Sequence, residues 1–377
     1  MDFSFSEEQT LLRNSVQRFL QDKYDFETRR KIVASEDGWR PDYWQQFAEL
    51  GLLAAPFAEE FGGLGGSPVE TMIVMEEFGK GLVVEPYLPT VVLGGGLLRH
   101  GGSQAQKQEL IPRILGGDLV LAFAYAEPQG RYNLADLTTT AKKKGGGFVL
   151  NGHKSVVFGA PWAHKLLVSA RTSGGQREEK GITVFLVDKE AKGVTTRDYP
   201  TVDGLRASEI TFDNVEVPAD AVVGEPDRGL PLIERVSDEA IGALCAEAIG
   251  TMKMLTDATV EYSRTRKQFG VPIGSFQVLQ HAMVDMYLNY EQSVSITYMV
   301  NMKLDEPEAE RKKAASAAKA FIGRAGRFIG QSAVQIHGGM GMSDELSVGH
   351  YFKRLTMIDT MFGDADHHSR RYRLLTT

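Results

Sequence analysis

Two segments of the sequence combine charged or amide side chains with glycine in a way that suits a bound pyrophosphate or nucleotide. The first is Arg-Thr-Arg-Lys-Gln-Phe-Gly at 264–270, which is followed by Phe276-Gln277, and the second is Gln-Ile-His-Gly-Gly-Met-Gly at 335–341. Arginine donates paired hydrogen bonds to phosphate oxygens, and glycine lets backbone N–H groups approach a ligand closely. An exposed arginine and the C-terminal cap of a helix explain the same residues equally well, so both interpretations stay open.

Other candidate sites have simpler interpretations. The glycine-rich stretch 62–66 lacks a preceding strand and the Lys-Ser/Thr of a phosphate-binding loop, which favours a flexible connector. Adjacent residues on a helix point about 100° apart, so His367 and His368 are poorly placed to share a metal ion. Cys245 stands among leucine and alanine residues, which predicts a packing role rather than a nucleophile.

The composition excludes several classes of protein. The chain has 377 residues, 24% of them charged, and a formal net charge of −7, which argues against a general nucleic-acid binder. A single cysteine excludes an internal disulfide and favours a reducing compartment. The N-terminal residues are acidic where a secretory signal needs base, and no apolar run of about 18 residues occurs. We therefore expect a cytoplasmic protein with no membrane span.

Three regions must position the two segments. Residues 1–118 predict helices, with capping signals at Ser6 and Ser103 and a proline at the first helical position, Pro68. Residues 119–226 hold short β-rich runs separated by glycine turns, which predict an antiparallel sheet or barrel. Residues 227–377 carry long apolar-periodic stretches, which predict a four-helix bundle. The predicted fold class is therefore α+β, with helical regions on both sides of a β domain.

In this order of regions and in its motifs, the whole chain resembles the acyl-CoA dehydrogenase family of flavoproteins. The segments that match this family's FAD motifs are 123–128, 151–154, 266–270 and 335–341. Within the family, the segments 54–60 and 352–359 are most similar to the small subunits of pimeloyl-CoA dehydrogenases.

The resemblance implies α,β-desaturation of an acyl-CoA thioester with FAD as the cofactor. In the family, a carboxylate removes the α-proton, the flavin accepts the β-hydride, and hydrogen bonds polarise the thioester carbonyl. The flavin lies between subunits, one of which holds the isoalloxazine ring while its neighbour holds the ADP end. The residues of the ADP end that carry over to this chain are Arg266, Phe269, Gln277, Gln335, Gly338 and Gly339.

By the same resemblance, the ring end departs from the family's pattern. The family's Thr-Glu-Pro-x-Ala-Gly-Ser-Asp turn reads Ala-Glu-Pro-Gln-Gly-Arg-Tyr-Asn at 126–133, and its Trp-x-Thr strand reads Val-Val-Phe at 156–158. Ala126, Tyr132 and Phe158 thus replace hydroxyl side chains. Each lost hydroxyl commonly costs about 1 kcal/mol of binding. We therefore expect this chain to lack a flavin ring site of its own.

The position of the family's catalytic base is also changed. Most members carry a glutamate near the C-terminus, where this chain has Gly363. A minority carry it on the first long C-terminal helix, at the positions that are Ala240 and Ile241 here. The nearby carboxylates are Asp238, Glu239 and Asp364. A neighbouring helix residue points about 100° away, which leaves Asp364 as the surviving candidate.

The resemblance therefore implies a subunit with no catalytic residue of its own that donates ADP contacts to a neighbour. We expect the β subunit of an α2β2 assembly, in which a paralogous large subunit supplies the ring pocket and the glutamate. The expected substrate is an acyl-CoA thioester with a dicarboxylic, aromatic-derived or ring-bearing acyl group, and the expected acceptor is electron-transfer flavoprotein. Two alternatives stay open: an active homo-oligomer that uses Asp364 as its base, and a non-enzymatic CoA-binding or scaffold protein without flavin.

Overall fold

The computed structural model describes residues 5–376. Its helices are α1 (Glu7–Lys23), α2 (Phe26–Ala34), α3 (Pro41–Glu49), α4 (Pro68–Gly81), α5 (Gly95–Gly101), α6 (Gln104–Leu115), α7 (Gly229–Thr265), α8 (Gln277–Met302), α9 (Glu308–His337), α10 (Ser347–Thr360) and α11 (Ala365–Thr376). Its strands are β1 (Leu121–Ala124), β2 (Thr140–Lys144), β3 (Gly147–Phe158), β4 (Lys165–Arg171), β5 (Ile182–Asp188), β6 (Val194–Pro200), β7 (Arg206–Pro218), β8 (Val222–Val223), β9 (Lys267–Gln268) and β10 (Val271–Pro272). The predicted α+β fold class is confirmed. No helix among the described residues is long and apolar enough to cross a membrane.

The helix-start signals in the sequence act as predicted. The hydroxyls of Ser6 and Ser103 accept hydrogen bonds from the backbone of Gln9 and Gln106, and both glutamines reach back to complete a capping box. Helix α4 begins at Pro68, where a missing N–H costs nothing. These local signals therefore mark the starts of three helices, and the capping glutamines also make long-range hydrogen bonds, Gln9 to Glu70 and Gln106 to the carbonyl oxygen of Asp220.

The chain folds into two compact units. The helical unit comprises the residues up to Ile32, Pro68–Val83 and the residues from Ile241 onward, and the mixed unit comprises Val33–Ser67 and Val84–Ala240. This division differs from the three sequence regions, whose limits at 118 and 226 stay a prediction.

An eight-stranded sheet forms the core of the mixed unit. Its strand order is β6-β7-β3-β2-β4-β5-β8, and β1 pairs with β4. Most neighbours are antiparallel, as predicted, but β1 and β2 both lie parallel to β4. Strand β3 contains register shifts, one of them between Lys154 and Val157. The buried face of the sheet is apolar and includes Leu150, Leu166 and Phe185, so the alternation of apolar residues sets which side of each strand faces the core.

In the helical unit, α9 is the central helix, and α8, α10 and α11 all pack against it. The described C-terminal region holds five helices, one more than the predicted four-helix bundle, because the loop 361–364 separates α10 from α11. Backbones of α4 and α7 approach so closely that a Cβ at Gly79 or Gly250 would meet a carbonyl oxygen of the other helix. A buried ion pair joins Arg354 to Glu247, with Nε–Oε1 and Nη2–Oε2 distances of 2.5 and 2.7 Å.

Candidate functional site

The first predicted nucleotide segment forms a tight hairpin after α7. Strands β9 and β10 pair Gln268 with Val271. Phe269 and Gly270 connect them with φ of +54° and +84°, as a two-residue hairpin turn requires. Phe269 is 91% exposed, and its ring lies at 85° to that of Phe276, with a centroid distance of 6.1 Å. A non-glycine residue in this conformation costs about 1 kcal/mol or more. The hairpin therefore exposes the apolar Phe269 ring to solvent despite both this backbone strain and the cost of hydrating the ring.

The second segment lies at the C-terminal end of α9. The chain leaves the helix at Gly338, whose N–H is donated to the carbonyl oxygen of Gln335 and whose φ is +61°. A Cβ built on Gly338 or Gly339 would meet no atom within 4 Å. The two glycines therefore present an open, uncrowded stretch of backbone.

A stacked ring pair joins the two segments. The rings of Tyr262 and His337 lie 4.3 Å apart at an angle of 26°, and the Tyr262 hydroxyl donates to the His337 carbonyl oxygen at 3.4 Å. Tyr262 lies in the last turn of α7 and His337 ends α9. The predicted residues of both segments thus belong to one end of the helical unit.

The residues predicted for the ADP end are all exposed. These residues are Arg266, Phe269, Gln277, Gln335, Gly338 and Gly339. Within the described part of the chain, the guanidinium of Arg266 and the amides of Gln277 and Gln335 have no hydrogen-bond or ion-pair partner. A free guanidinium, free amides and open glycine backbone are the donors that a pyrophosphate accepts, and an exposed aromatic ring suits an adenine. These residues therefore fit the ADP end of a dinucleotide.

In the mixed unit, the turn 126–133 is held by a buried carboxylate. Glu127 accepts hydrogen bonds from Lys154 Nζ at 2.8 Å, from the Thr138 backbone N–H at 2.7 Å and from the Thr138 hydroxyl at 2.5 Å. Burial alone would raise the pKa of Glu127, but the ammonium of Lys154 and these hydrogen bonds lower it to about 2. Glu127 thus stays ionised and fixes the turn against β3, which gives it a structural role.

This turn and the neighbouring bulge of β3 differ from the family's pattern in their side chains, and their backbone is strained. Arg131, at the position of the family's glycine, has a φ of +46°. Val156 has a φ of +52°, lies at the bulge of β3 and is 40% exposed. Positive φ is a genuine outlier for a β-branched residue. Ala126, Tyr132 and Phe158 are half-buried. The side chains at the family's ring-contact positions 126, 156 and 158 are therefore all apolar.

Gly363, at the position of the family's base, has no room for a side chain. Its φ is +113°, and a Cβ there would lie 2.5 Å from His367 Cδ2 and 2.8 Å from His368 Nε2. Lys319 Nζ donates to the Gly363 and Asp359 carbonyl oxygens at 2.6 and 2.8 Å. The imidazole rings of His367 and His368 thus occupy the space that the Cβ of a catalytic glutamate at position 363 would need.

The neighbouring carboxylates are engaged elsewhere. Asp364 accepts the backbone N–H of His367 at 2.7 Å and so caps α11. Glu239 is buried, and its carboxylate meets Arg99 Nη2 at 2.8 Å, Arg235 Nε at 3.0 Å and His100 Nε2 at 2.7 Å. Burial acts to raise the pKa of Glu239, but its hydrogen bonds and the nearby cations lower it to about 2. Both carboxylates are thus already hydrogen-bonded within the chain.

Two further predictions are confirmed by burial and hydrogen bonding. The Cys245 side chain is fully buried, and burial raises its pKa to about 12, so it is a packing residue. The backbone N–H groups of 62–66 all donate to carbonyl oxygens of residues 54–59, so this loop has none left for a phosphate. Lys319 gives no signal in sequence, because it is one of several charged residues in an alanine-rich helix and no motif distinguishes it from the others.

The chain matches the family models of all three acyl-CoA dehydrogenase domains in order. The N-terminal model matches residues 6–118, the middle model 122–215 and the C-terminal model 227–371. The probable acyl-CoA dehydrogenase YngJ of Bacillus subtilis (strain 168) is 28% identical over 371 residues, which are 97% of each chain.

Solved structures with similar sequences share the fold of this chain over nearly its whole length. The ChsE4-ChsE5 complex from Mycobacterium tuberculosis superposes with a TM-score of 0.90 at 25% identity and covers 99% of this chain and 98% of that chain. The FAD complex of PigA superposes with a TM-score of 0.92 at 25% identity, over 100% and 99% of the two chains. FAD is the cofactor of the reaction. Because its three domains match in order along nearly the whole sequence, this chain belongs to the acyl-CoA dehydrogenase family of FAD-dependent oxidoreductases.

Proposed function

We propose that this chain is the ADP-binding, base-lacking β subunit of an α2β2 acyl-CoA dehydrogenase with one FAD at each αβ interface. A paralogous α subunit supplies the isoalloxazine pocket and the catalytic glutamate. The substrate is an acyl-CoA thioester, and electron-transfer flavoprotein accepts the electrons. FAD, when bound, supplies the oxidant for α,β-desaturation.

One contrast carries the proposal. The six ADP-end residues are exposed and their side chains are free to bind, whereas the ring end and the base position have lost the groups that the chemistry needs. FAD binding explains why this chain has an unpaired Arg266 and a solvent-exposed Phe269 on a strained turn. Without a bound cofactor, neither feature has a use. A chain that held a whole flavin by itself would keep donors at 126 and 158.

Each retained residue has a definite task at the ADP end. Arg266 donates charged hydrogen bonds to pyrophosphate oxygens, and Gly338 and Gly339 let the backbone approach the same group. Phe269 covers the apolar adenine face, while Gln277 and Gln335 bind the polar atoms between them. These contacts bind and orient a cofactor whose reacting end belongs to the neighbour.

The missing base assigns proton abstraction to the partner. A residue at 363 would collide with His367 and His368, and Asp364 already caps α11. The homo-oligomeric alternative needs Asp364 to leave that cap, which costs about 1 kcal/mol. The similar ChsE4-ChsE5 structure is a complex of two named chains, which agrees with an assembly of two unlike subunits.

The test is to purify this chain alone, the family member encoded beside it alone, and the two together. We expect flavin absorbance and acyl-CoA-dependent reduction of a dye only in the mixture. In the mixture, Arg266→Gln lowers FAD retention, whereas the matched control Arg264→Gln, whose charge is exposed 3.8 Å from Glu261, leaves it unchanged. Full FAD occupancy and turnover by the lone chain would refute the proposal, and a colourless mixture would refute it equally.

A further inference from the structure

The mixed unit contains a surface cleft of about 530 Å³ that the flavin chemistry does not use. One wall is the loop that ends in the glycine-rich stretch, and the other is formed by the end of α5 and the first turns of α6. Its volume lies in the range of sites for small metabolites. All of the residues that line the cleft belong to the mixed unit, and none of them is one of the six residues predicted for the ADP end.

The α5–α6 wall is cationic. Arg99, His100 and Lys107 line it. The buried Glu239 carries one negative charge and pairs with both Arg99 and Arg235, so Arg99, Arg235 and Lys107 together keep the cluster cationic. Cations near a low-dielectric wall attract an anionic group more strongly than cations in open water.

Two donors on this wall are unused. Among the described residues, the Lys107 ammonium has no hydrogen-bond or ion-pair partner. Arg99 Nε is buried and has no partner in the same set of residues, although Nη1 donates to the Pro56 carbonyl oxygen at 3.1 Å. Buried donors are nearly always paired in folded proteins. An acceptor oxygen in the cleft can pair with the Lys107 ammonium, whereas Arg99 Nε has no surface that such an oxygen could reach, so Arg99 acts on a ligand through its charge.

The opposite wall is anionic. Glu59 and Glu60 line the cleft from the loop, and both are exposed. Neither carboxylate forms an ion pair or side-chain hydrogen bond with any other described residue, Lys107 included. The cleft therefore has one cationic wall and one anionic wall, and the charged groups of the two walls do not pair with each other.

We propose that this cleft binds a small zwitterion, a molecule with a carboxylate or phosphate at one end and an amine at the other. The anionic end accepts from Lys107 and is attracted by the charge of Arg99, and the amine donates to Glu59 or Glu60. The glycine loop contributes shape only, because all its backbone N–H groups from 62 to 66 already donate within the loop. A simple anion would pair with the cationic wall but would be repelled by the carboxylates of Glu59 and Glu60. The ligand must therefore carry a positive charge as well as a negative one.

The experiment titrates the purified chain with a ladder of ω-amino acids from glycine to 6-aminohexanoate, observed by saturation-transfer NMR. Each is compared with the alkanoate and the alkylamine of equal length. We expect at least one amino acid to bind about tenfold more tightly than both singly charged analogues. We expect Lys107→Gln and the double variant Glu59→Gln/Glu60→Gln each to weaken this binding about tenfold. The control variants are Lys142→Gln and Glu179→Gln, which change exposed charges outside the cleft.

Either of two results overturns the proposal. The first is that no amino acid binds more tightly than its singly charged analogues, which shows that the charges are solvated surface groups. The second is that the control variants weaken binding as much as the cleft variants, which shows a non-specific charge effect. Each variant's fold is checked by thermal unfolding. The binding of amino acids to the purified chain is measured without the partner subunit and does not depend on FAD content. Failure here thus leaves the proposed subunit function untouched.

Discussion

The loop that carries Gly363 gives the sharpest test, because the structure predicts how much a side chain there costs. An L-residue at positive φ costs about 1–2 kcal/mol. A Cβ at 363 would also meet His367 and His368 at 2.5 and 2.8 Å, and such overpacking costs about 1–3 kcal/mol more. We therefore expect Gly363→Ala to lower the free energy of unfolding by about 2–5 kcal/mol.

Gly145 provides the matched control. It too has a positive φ, of +55°, but a Cβ there meets no atom within 4 Å. Gly145→Ala should therefore cost only the strain, about 1 kcal/mol. The assay is urea unfolding of both variants followed by intrinsic fluorescence. If the two substitutions cost the same, the rings do not fill the space at 363 and the base position is not blocked.

A double variant separates the ring contact from the backbone strain. Removal of the His367 ring relieves the overlap, so His367→Ala should be less harmful in the Gly363→Ala background than in the wild type, by about 1 kcal/mol or more. Gly363→Glu in the lone chain should give no acyl-CoA turnover, since the ring site is also changed. A stable, active Gly363→Glu chain would show that the base has been assigned to the wrong position.

Three other predictions follow from buried or charged groups. In the reconstituted complex, Arg266→Gln should weaken FAD binding by about 1.5–3 kcal/mol, measured by equilibrium dialysis, because a charged donor to pyrophosphate is lost. Glu127→Gln should destabilise the chain by about 3–5 kcal/mol by leaving Lys154 buried without its counter-charge, and adding Lys154→Met should recover much of the loss in urea unfolding. The folded-state pKa of Glu239 is lowered to about 2, so its stabilisation is present above about pH 4.5 and is lost as the pH falls toward 2. The stability difference between wild type and Glu239→Gln should therefore shrink over that range.

Local signals allow the helices and much of the sheet to be predicted from the sequence. The capping boxes at Ser6 and Ser103 fix two helix starts, and apolar periodicity locates α7, α8 and α9 to within a few residues. The sequence does not predict strands β2, β6 and β8. Polar residues dominate β2 and β6, and β8 has only two residues, so their sheet membership depends on neighbours rather than on their own pattern.

The residue identities of the site stay a prediction from the sequence, whereas its geometry comes from the structure. By resemblance, Gly363 stands where the family has its base, which predicts that this chain lacks one. The structure adds that the rings of His367 and His368 occupy the vacated space and that Lys319 holds the loop. No periodicity or motif could show this, because it depends on side chains from α9 and α11 that meet only in the folded chain.

The segments that match the family's FAD motifs contain strained backbone. Seven non-glycine residues in the described chain have positive φ, and three of them, Arg131, Val156 and Phe269, lie within or beside the segments that match the family's FAD motifs. Two of these strained stretches are held by the chain's own carboxylates. Glu127 fixes the turn before Arg131, and the Glu209 carboxylate, close to Val156, is hydrogen-bonded to His153 and Tyr199.

Internal groups can hold this backbone whether or not a ligand is bound. The family is recognisable at 28% identity, whereas the subunit role stays a proposal that depends on individual residues. If bound flavin instead held the backbone, the lone chain would relax at Val156. Amide hydrogen exchange at Ser155 and Val156, measured with and without the flavin-loaded partner, therefore separates the two causes. Equal protection in both states is the result that an internally fixed bulge predicts.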